Sequence, residues 1–167
     1  MPVTDRGTCR VFVGLGSNLG EPRRQVERAF DDLAVLASTR LVARSSLYRT
    51  APWGVTDQPA FVNAVAELAS TLAPRELLDA LLAIERSHGR VRDGTRWGPR
   101  MLDLDLLACA DLQLDEPGLV LPHPQLERRA FVLVPLAEIA PDFVIAGAGM
   151  VRDLLAAVDT DEVVRLD

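Results

Sequence analysis

The chain has 167 residues, a formal net charge of −6 and 49% hydrophobic residues, enough apolar material for one well-filled core and little room for a second domain. All 18 basic residues are arginine. An acidic chain with its positive charge gathered in one segment lacks the broad basic face that a nucleic-acid groove needs, and no apolar run approaches the ~20 residues that cross a bilayer. The opening Met1 to Gly7 has no signal-peptide core, and Cys9 and Cys109 fall at apolar strand positions. Reduced, buried thiols in a single cytoplasmic domain are therefore expected, with neither a nucleic-acid nor a membrane partner. The two cysteines and two histidines lack the close pairing of a structural zinc site.

In chain order, Arg10 to Leu15 reads as a first strand ending at glycine. Pro22 opens a helix in which Val26, Ala29, Phe30, Leu33 and Leu36 recur at helical spacing through Ala37. Leu41 to Tyr48 and Phe61 to Leu68 read as strands, with Pro52, Gly54 and Pro59 marking the loop between them. Pro74 opens a second helix through Leu77, Leu78, Leu81, Leu82 and Ile84, ending near Gly89, and Leu102 to Cys109 is a fourth strand. That order, β-α-β-β-α-β, predicts an α+β fold of ferredoxin-like type, an antiparallel sheet with both helices on one face. Beyond Ala110 a C-terminal extension follows: a hairpin of 112–114 with 119–121, short helices at 125–129 and 152–158, and a small strand at 162–166.

The most informative segment is Arg96-Trp97-Gly98-Pro99-Arg100-Met101-Leu102-Asp103-Leu104-Asp105-Leu106-Leu107. On a strand, Asp103 and Asp105 share one face while Leu102, Leu104 and Leu106 fill the other. Two carboxylates about 7 Å apart repel, and on spacing alone a solvated edge is the commoner reading, but the apolar run around them predicts a central strand, where carboxylates are costly unless paired or ligated. Hard oxygen donors on a rigid element suit Mg²⁺, which combines one or two carboxylates with water and substrate phosphates. Upstream, Arg86, Arg90, Arg92, Arg96 and Arg100 face a single acid, Asp93. With no lysine available, phosphate oxygens must be gripped by arginine forks and metal.

Other signals are weaker. The turn Gly14-Leu15-Gly16-Ser17-Asn18-Leu19-Gly20 fails the dinucleotide spacing by one residue and reads as a tight connection. Phe61 and Asn63 share a strand face, with Trp53 on the proline-rich loop before them, an aromatic and an amide that suit a flat heterocycle. His88 reads as a helix C-terminal residue without chemistry, and His123 as a turn residue between two prolines.

Together these residues resemble the 6-hydroxymethyl-7,8-dihydropterin pyrophosphokinases of folate biosynthesis, from Val13 to about Pro141. The resemblance rests on Gly16 to Gly20, Tyr48-Arg49-Thr50 with Pro52, Asn63, Gly89-Arg90-Val91-Arg92, Arg96 to Leu107 and Pro122-His123-Pro124. It implies transfer of pyrophosphate from the co-substrate ATP to the pterin hydroxymethyl group, releasing AMP, with two Mg²⁺ ions held by Asp103 and Asp105. By the same resemblance Thr50, Pro52, Trp53 and Asn63 hold the pterin edge, Phe61 and Phe131 stack on its faces, and Trp97 closes over it. Arg90, Arg92 and Arg100 grip the phosphates, His123 and Arg129 assist, and Glu85 and Leu106 lie along the nucleotide. The segment from Arg90 to Arg100 is expected to act as a lid. Leu82, Asp93 and Pro124 depart from the family's usual residues, and none of them touches the acid pair. A monofunctional monomer is expected. Of two competing readings, a nicotinamide-dependent oxidoreductase using the glycine turn leaves the acid pair unexplained, and a non-enzymatic binding module predicts exposed aromatics and a basic face that a chain with eight aromatics and a net negative charge does not offer.

Overall fold

The computed structural model describes residues 7–50, 59–89 and 101–166. Its main sheet is built from β1 (Cys9–Ser17), β2 (Thr39–Arg44), β3 (Tyr48–Thr50), β4 (Phe61–Ser70), β5 (Asp103–Cys109) and a late strand, β10 (Val163–Arg165). The lateral order is β10-β3-β4-β1-β5, with β2 also paired to β4, and every pairing is antiparallel.

Alternation decides what each sheet face carries. Val11, Val13 and Leu15 of β1, Val62, Ala64, Ala66 and Leu68 of β4, and Leu104 and Leu106 of β5 point one way into a single apolar cluster. The helices α1 (Pro22–Ala34) and α2 (Pro74–Ser87) close that lower face with Val26, Ala29, Phe30, Leu33, Leu77, Leu81 and Ile84. Both helices have proline in the first turn, where a missing N–H costs nothing. In α2 the Glu76 carboxylate also reaches back to the Ala73 N–H at 3.0 Å.

Among the described residues the upper face is covered only in part. The hairpin β6 (Leu114–Glu116) and β7 (Leu119–Leu121) is followed by a 3₁₀ turn at Leu126–Arg128 and then α3 (Ala130–Ile139). A two-residue pair, β8 (Val144–Ile145) and β9 (Gly149–Met150), leads into α4 (Val151–Ala156). Leu126, Val132, Leu133, Leu136 and Val151 from these elements pack over Phe12, Val65 and Leu107 in a second apolar cluster.

Four expectations change. The second strand is split into β2 and β3, because Ser45 replaces a regular ladder step: its N–H donates to the Val65 carbonyl and its Oγ accepts the Val65 N–H, both at 2.9 Å. Gly14 and Gly16 are not a tight connection but lie inside β1, and the left-handed turn residue is Gly20, at φ 65°. Where a short helix was expected at 125–129 the chain makes only a 3₁₀ turn. The ten-residue α3 was not foreseen, since it is apolar on nearly every side and holds Pro135, so neither a helical stripe nor propensity marks it. Among the described residues no helix is long and apolar enough to cross a membrane.

Candidate active site

Strand register brings the chemistry-bearing residues onto the upper face. Gly16 of β1 lies opposite Asn63 on β4 and opposite Asp103 on β5, and Gly14 lies opposite Asp105. Asn63 and the acid pair are thus separated by one strand that carries no side chains there, a gap of about 10 Å at ordinary strand spacing. The floor has to be bare, since a Cβ on Gly16 would sit 2.8 Å from Asn63 Oδ1 and 4.0 Å from the Phe61 ring.

On the β4 side, Asn63 Nδ2 donates to Thr50 Oγ1 at 2.7 Å, and both side chains are buried. The amide is therefore fixed by its neighbour on β3 and keeps its Oδ1 over the glycine floor. Phe61, two residues earlier on β4, flanks the same floor. Asn18, which is buried, donates to the Pro59 carbonyl at 3.1 Å and ties the end of β1 to the approach to β4. The Ser17-Asn18 pair therefore shapes this rim.

On the β5 side, Asp103 and Asp105 are half-buried while Leu104 between them is in the core. Contrary to the expectation of a central strand, β5 ends the sheet among the described residues, and there the Leu104 N–H donates to the buried Glu85 carboxylate of α2 at 2.7 Å. A buried acceptor here removes the cost of an orphaned edge donor and fixes the peptide between the two acids. Leu106 turns its side chain into the lower core, which leaves its main chain as the part that faces the edge.

Across from the acids stand His123 and Arg129. Burial, then the charge of Arg129, push the His123 ring down to about 4 despite an opposing pull from Asp103, so it is neutral at pH 7. Its Nδ1 is buried with no hydrogen-bond partner among the described residues. Arg129, also buried, donates to Gln125 Oε1 at 3.0 Å and has its guanidinium carbon 5.6 Å from the centre of the Phe131 ring. Burial lowers the Arg129 pKa, and Asp105 and Asp103 act against that.

Of the residues singled out from the sequence, Thr50, Phe61, Asn63, Asp103, Asp105, His123, Arg129 and Phe131 stand along this face or its rim, with Glu85 and Leu106 behind it. Pro52, Trp53, Arg90, Arg92, Trp97 and Arg100, and with them the proposed lid, lie outside the described residues. His88 lies apart: it caps α2, and its two ring nitrogens sit 2.7 Å from Gln25 Oε1 and 2.6 Å from Asp32 Oδ2 on α1. Cys109 is buried as expected, whereas Cys9 is only half-buried. A residue missed entirely is Glu138, whose partners Ser46 and Tyr48 are some ninety positions away and leave no local sequence signal.

The donor set fits a hard divalent cation. Among the described residues no three His, Cys, Asp or Glu side chains are grouped to hold a metal. The acid pair by itself suits only an ion that draws its other ligands from water and substrate, as Mg²⁺ does. A carboxylate pair at one end of a bare floor and a fixed amide at the other is the layout of a two-substrate group transferase.

Comparison with known proteins narrows that class. The family model for 7,8-dihydro-6-hydroxymethylpterin-pyrophosphokinase matches residues 12–141. The chain is 53% identical to the 2-amino-4-hydroxy-6-hydroxymethyldihydropteridine pyrophosphokinase of Pseudomonas aeruginosa, over 94% of this chain and 96% of that one. It is 48% identical to the protein of the same name from Methylorubrum extorquens, over 95% and 99%. Among solved structures, a Plasmodium falciparum HPPK-DHPS chain superposes with a TM-score of 0.72 at 13% identity, covering 93% of this chain and 46% of that longer one. The chain belongs to the 7,8-dihydro-6-hydroxymethylpterin pyrophosphokinase family.

Proposed function

We propose that the glycine floor of β1 is where the two substrates meet, with the pterin on the β4 side and the ATP phosphates on the β5 side. As a family member the chain is a pyrophosphokinase of folate biosynthesis that uses ATP. It transfers pyrophosphate to the hydroxymethyl group of 6-hydroxymethyl-7,8-dihydropterin and releases AMP. Asp103 and Asp105 would hold two Mg²⁺ ions, which when bound supply charge neutralisation and Lewis acidity at the phosphates.

The chain's own residues then bind, orient and exclude water. Asn63, braced by Thr50, offers Oδ1 to a donor on the pterin edge, and Pro52 and Trp53 complete that edge. Phe61 and Phe131 cover the ring faces, and Trp97 closes the site. Arg90, Arg92, Arg100 and Arg129 hold phosphate oxygens in bidentate geometry. Neutral His123 presents a buried nitrogen that a phosphate or its water shell can satisfy. The main chain of Leu106 and the Glu85 end of α2 lie on the nucleotide side. Catalysis is then largely positioning of the hydroxyl in line with the β-phosphorus and offsetting charge.

The strand order around β1 supports reading the core as ferredoxin-like with a C-terminal extension, in one domain. Exposed large apolar residues among those described (Val35, Val42, Leu112, Val120, Val144 and Val164) are spread over separate elements, in keeping with a monomer, and the unbridged Cys9 and Cys109 with a reducing cytoplasm.

The observation that carries the reading is the register that sets Asn63 and Asp103 on either side of Gly16. Its test is AMP formation from ATP with and without 6-hydroxymethyl-7,8-dihydropterin and Mg²⁺, for wild type and Asp105→Ala. Stoichiometric AMP needing both additions is expected, with turnover down roughly a thousandfold or more in the variant, about 4 kcal/mol of transition-state stabilisation, and an unchanged Tm. ADP as product, or no turnover from folded protein, would overturn it.

A further inference from the structure

The site has two halves on different strands, and α3 packs on the strands of one half while the arginine that caps it feels the charges of the other. Its N-terminal end presents Arg129, which feels the charges of Asp105 and Asp103, and then Phe131. Along its length α3 packs on β4, and at its far end it meets β3. There Glu138 accepts four hydrogen bonds: from the Ser46 N–H at 2.9 and 3.1 Å to its two oxygens, from the Ser46 hydroxyl at 2.9 Å, and from the Tyr48 hydroxyl at 2.6 Å. Tyr48 lies opposite Asn63 in the sheet and two residues before Thr50, so this anchor grips the strand that braces the Asn63 amide.

Residues 131 and 138 are two helical turns apart and lie on one stripe of α3. From Arg129 to Glu138 the helix spans about 13 Å at 1.5 Å per residue, and its packing on β4 and α4 holds it along that length across Pro135. An anchor at one end therefore sets where the other end stands over the floor. The cluster is also held charged. Burial would raise the Glu138 pKa, but the hydrogen bonds from Tyr48 and Ser46 and the charge of Arg165 outweigh it and hold the carboxyl below its ordinary range.

We infer that Glu138 is a positioning residue for the transfer: by pinning the C-terminal end of α3 to β3, it fixes the spacing between the Thr50–Asn63 half-site and the Arg129–Phe131 end beside the acids. The inference rests on the functional reading above. Because in-line transfer is sensitive to misplacement of an ångström, a loosened spacing lowers the rate of transfer more than it weakens either substrate alone. Glu138 sits at the exposed rim, where water can replace its bonds, so its removal leaves the chain able to fold.

The test compares wild type with Glu138→Ala, Glu138→Gln and Tyr48→Phe. Measured for each are kcat, the Kd of a non-reactive pterin analogue and of a non-hydrolysable ATP analogue by fluorescence titration, and Tm. Glu138→Ala should lose about tenfold or more in kcat, the cost of a small misplacement, while both Kd values stay within about threefold. Glu138→Gln, which keeps an oxygen for Ser46 and Tyr48, should recover most of the rate, and Tyr48→Phe should fall between. An Ala variant with wild-type kcat overturns the inference, as does a loss that tracks unfolding or appears equally in both Kd values. If wild type itself makes no AMP, the functional reading falls and takes this inference with it; an active wild type with an unaffected variant overturns the inference alone.

Discussion

The two faces of the central sheet are made by the same strands and could hardly differ more. Below, β1, β4 and β5 contribute valine, alanine and leucine to a layer closed by α1 and α2, in which Val11, Val13, Leu33, Leu68, Leu77 and Leu81 are fully buried. Above, the same strands show Gly14, Gly16, Asn63, Asp103 and Asp105, and α3 covers only the end nearest Phe12 and Val65. The lower face buries apolar area throughout, at roughly 25 cal/mol per Å², whereas the upper face does so only around Phe12, Val65 and Leu107, where the second cluster covers it. The upper face gives up packing at two glycines and carries paired like charges, both destabilising in isolation. The larger apolar layer and the candidate site thus lie on opposite sides of one sheet, and the Glu85 bond to the Leu104 N–H at 2.7 Å ties α2 of the lower layer to the strand that carries the acids.

That division can be tested by perturbing each side and reading both stability and turnover. The largest effect on stability should come from below: Leu81→Ala, at a fully buried position, should cost about 2–5 kcal/mol by urea or thermal unfolding. Its folded fraction should keep wild-type kcat, and a specific loss of turnover would break the comparison. Next comes the pH response of the upper face. His123 is held at about 4 against an unfolded value near 6.5, so between those values the unfolded chain takes up a proton that the folded chain refuses. Stability contributed by the neutral ring is present above about pH 6.5 and is lost as pH falls toward 4, on the order of 3 kcal/mol. Unfolding measured across that window should show a shallower slope for His123→Asn, and an unaltered slope would assign the loss elsewhere. The smallest effect should come from the floor. Gly16→Ala places a Cβ 2.8 Å from Asn63 Oδ1 and should raise the KM for the pterin about tenfold, roughly 1.4 kcal/mol, while the KM for ATP is unchanged. An equal rise in both would mean that the floor does not separate the two substrates.

Much of this architecture is readable from the order of residues alone, wherever a local rule dominates. The helical stripe of α1, with Val26, Ala29, Phe30 and Leu33, and the alternation of Leu102 to Leu106 around the two aspartates are set by periods of 3.6 and 2. The prolines at the starts of α1 and α2 mark their first turns for the same local reason. The acid pair and the Phe61–Asn63 pair could therefore be named before any fold was known. The glycines of β1 could not be understood that way: Gly14 and Gly16 look like a turn because glycine permits one, and only their pairing with Asn63, Asp103 and Asp105 shows that what matters is the missing side chain. α3 escaped for the opposite reason, being apolar on nearly every side because it lies between the sheet and the following elements.

What the sequence determined by itself is which residues share a face of each element, because that follows from backbone geometry within a few residues. What tertiary structure decided is which faces meet. The Glu138 anchor to Ser46 and Tyr48, the Glu85 bond at the edge of β5 and the burial that keeps His123 neutral all join groups far apart in the chain. Hydrogen bonding and desolvation act through space, and no local period records them.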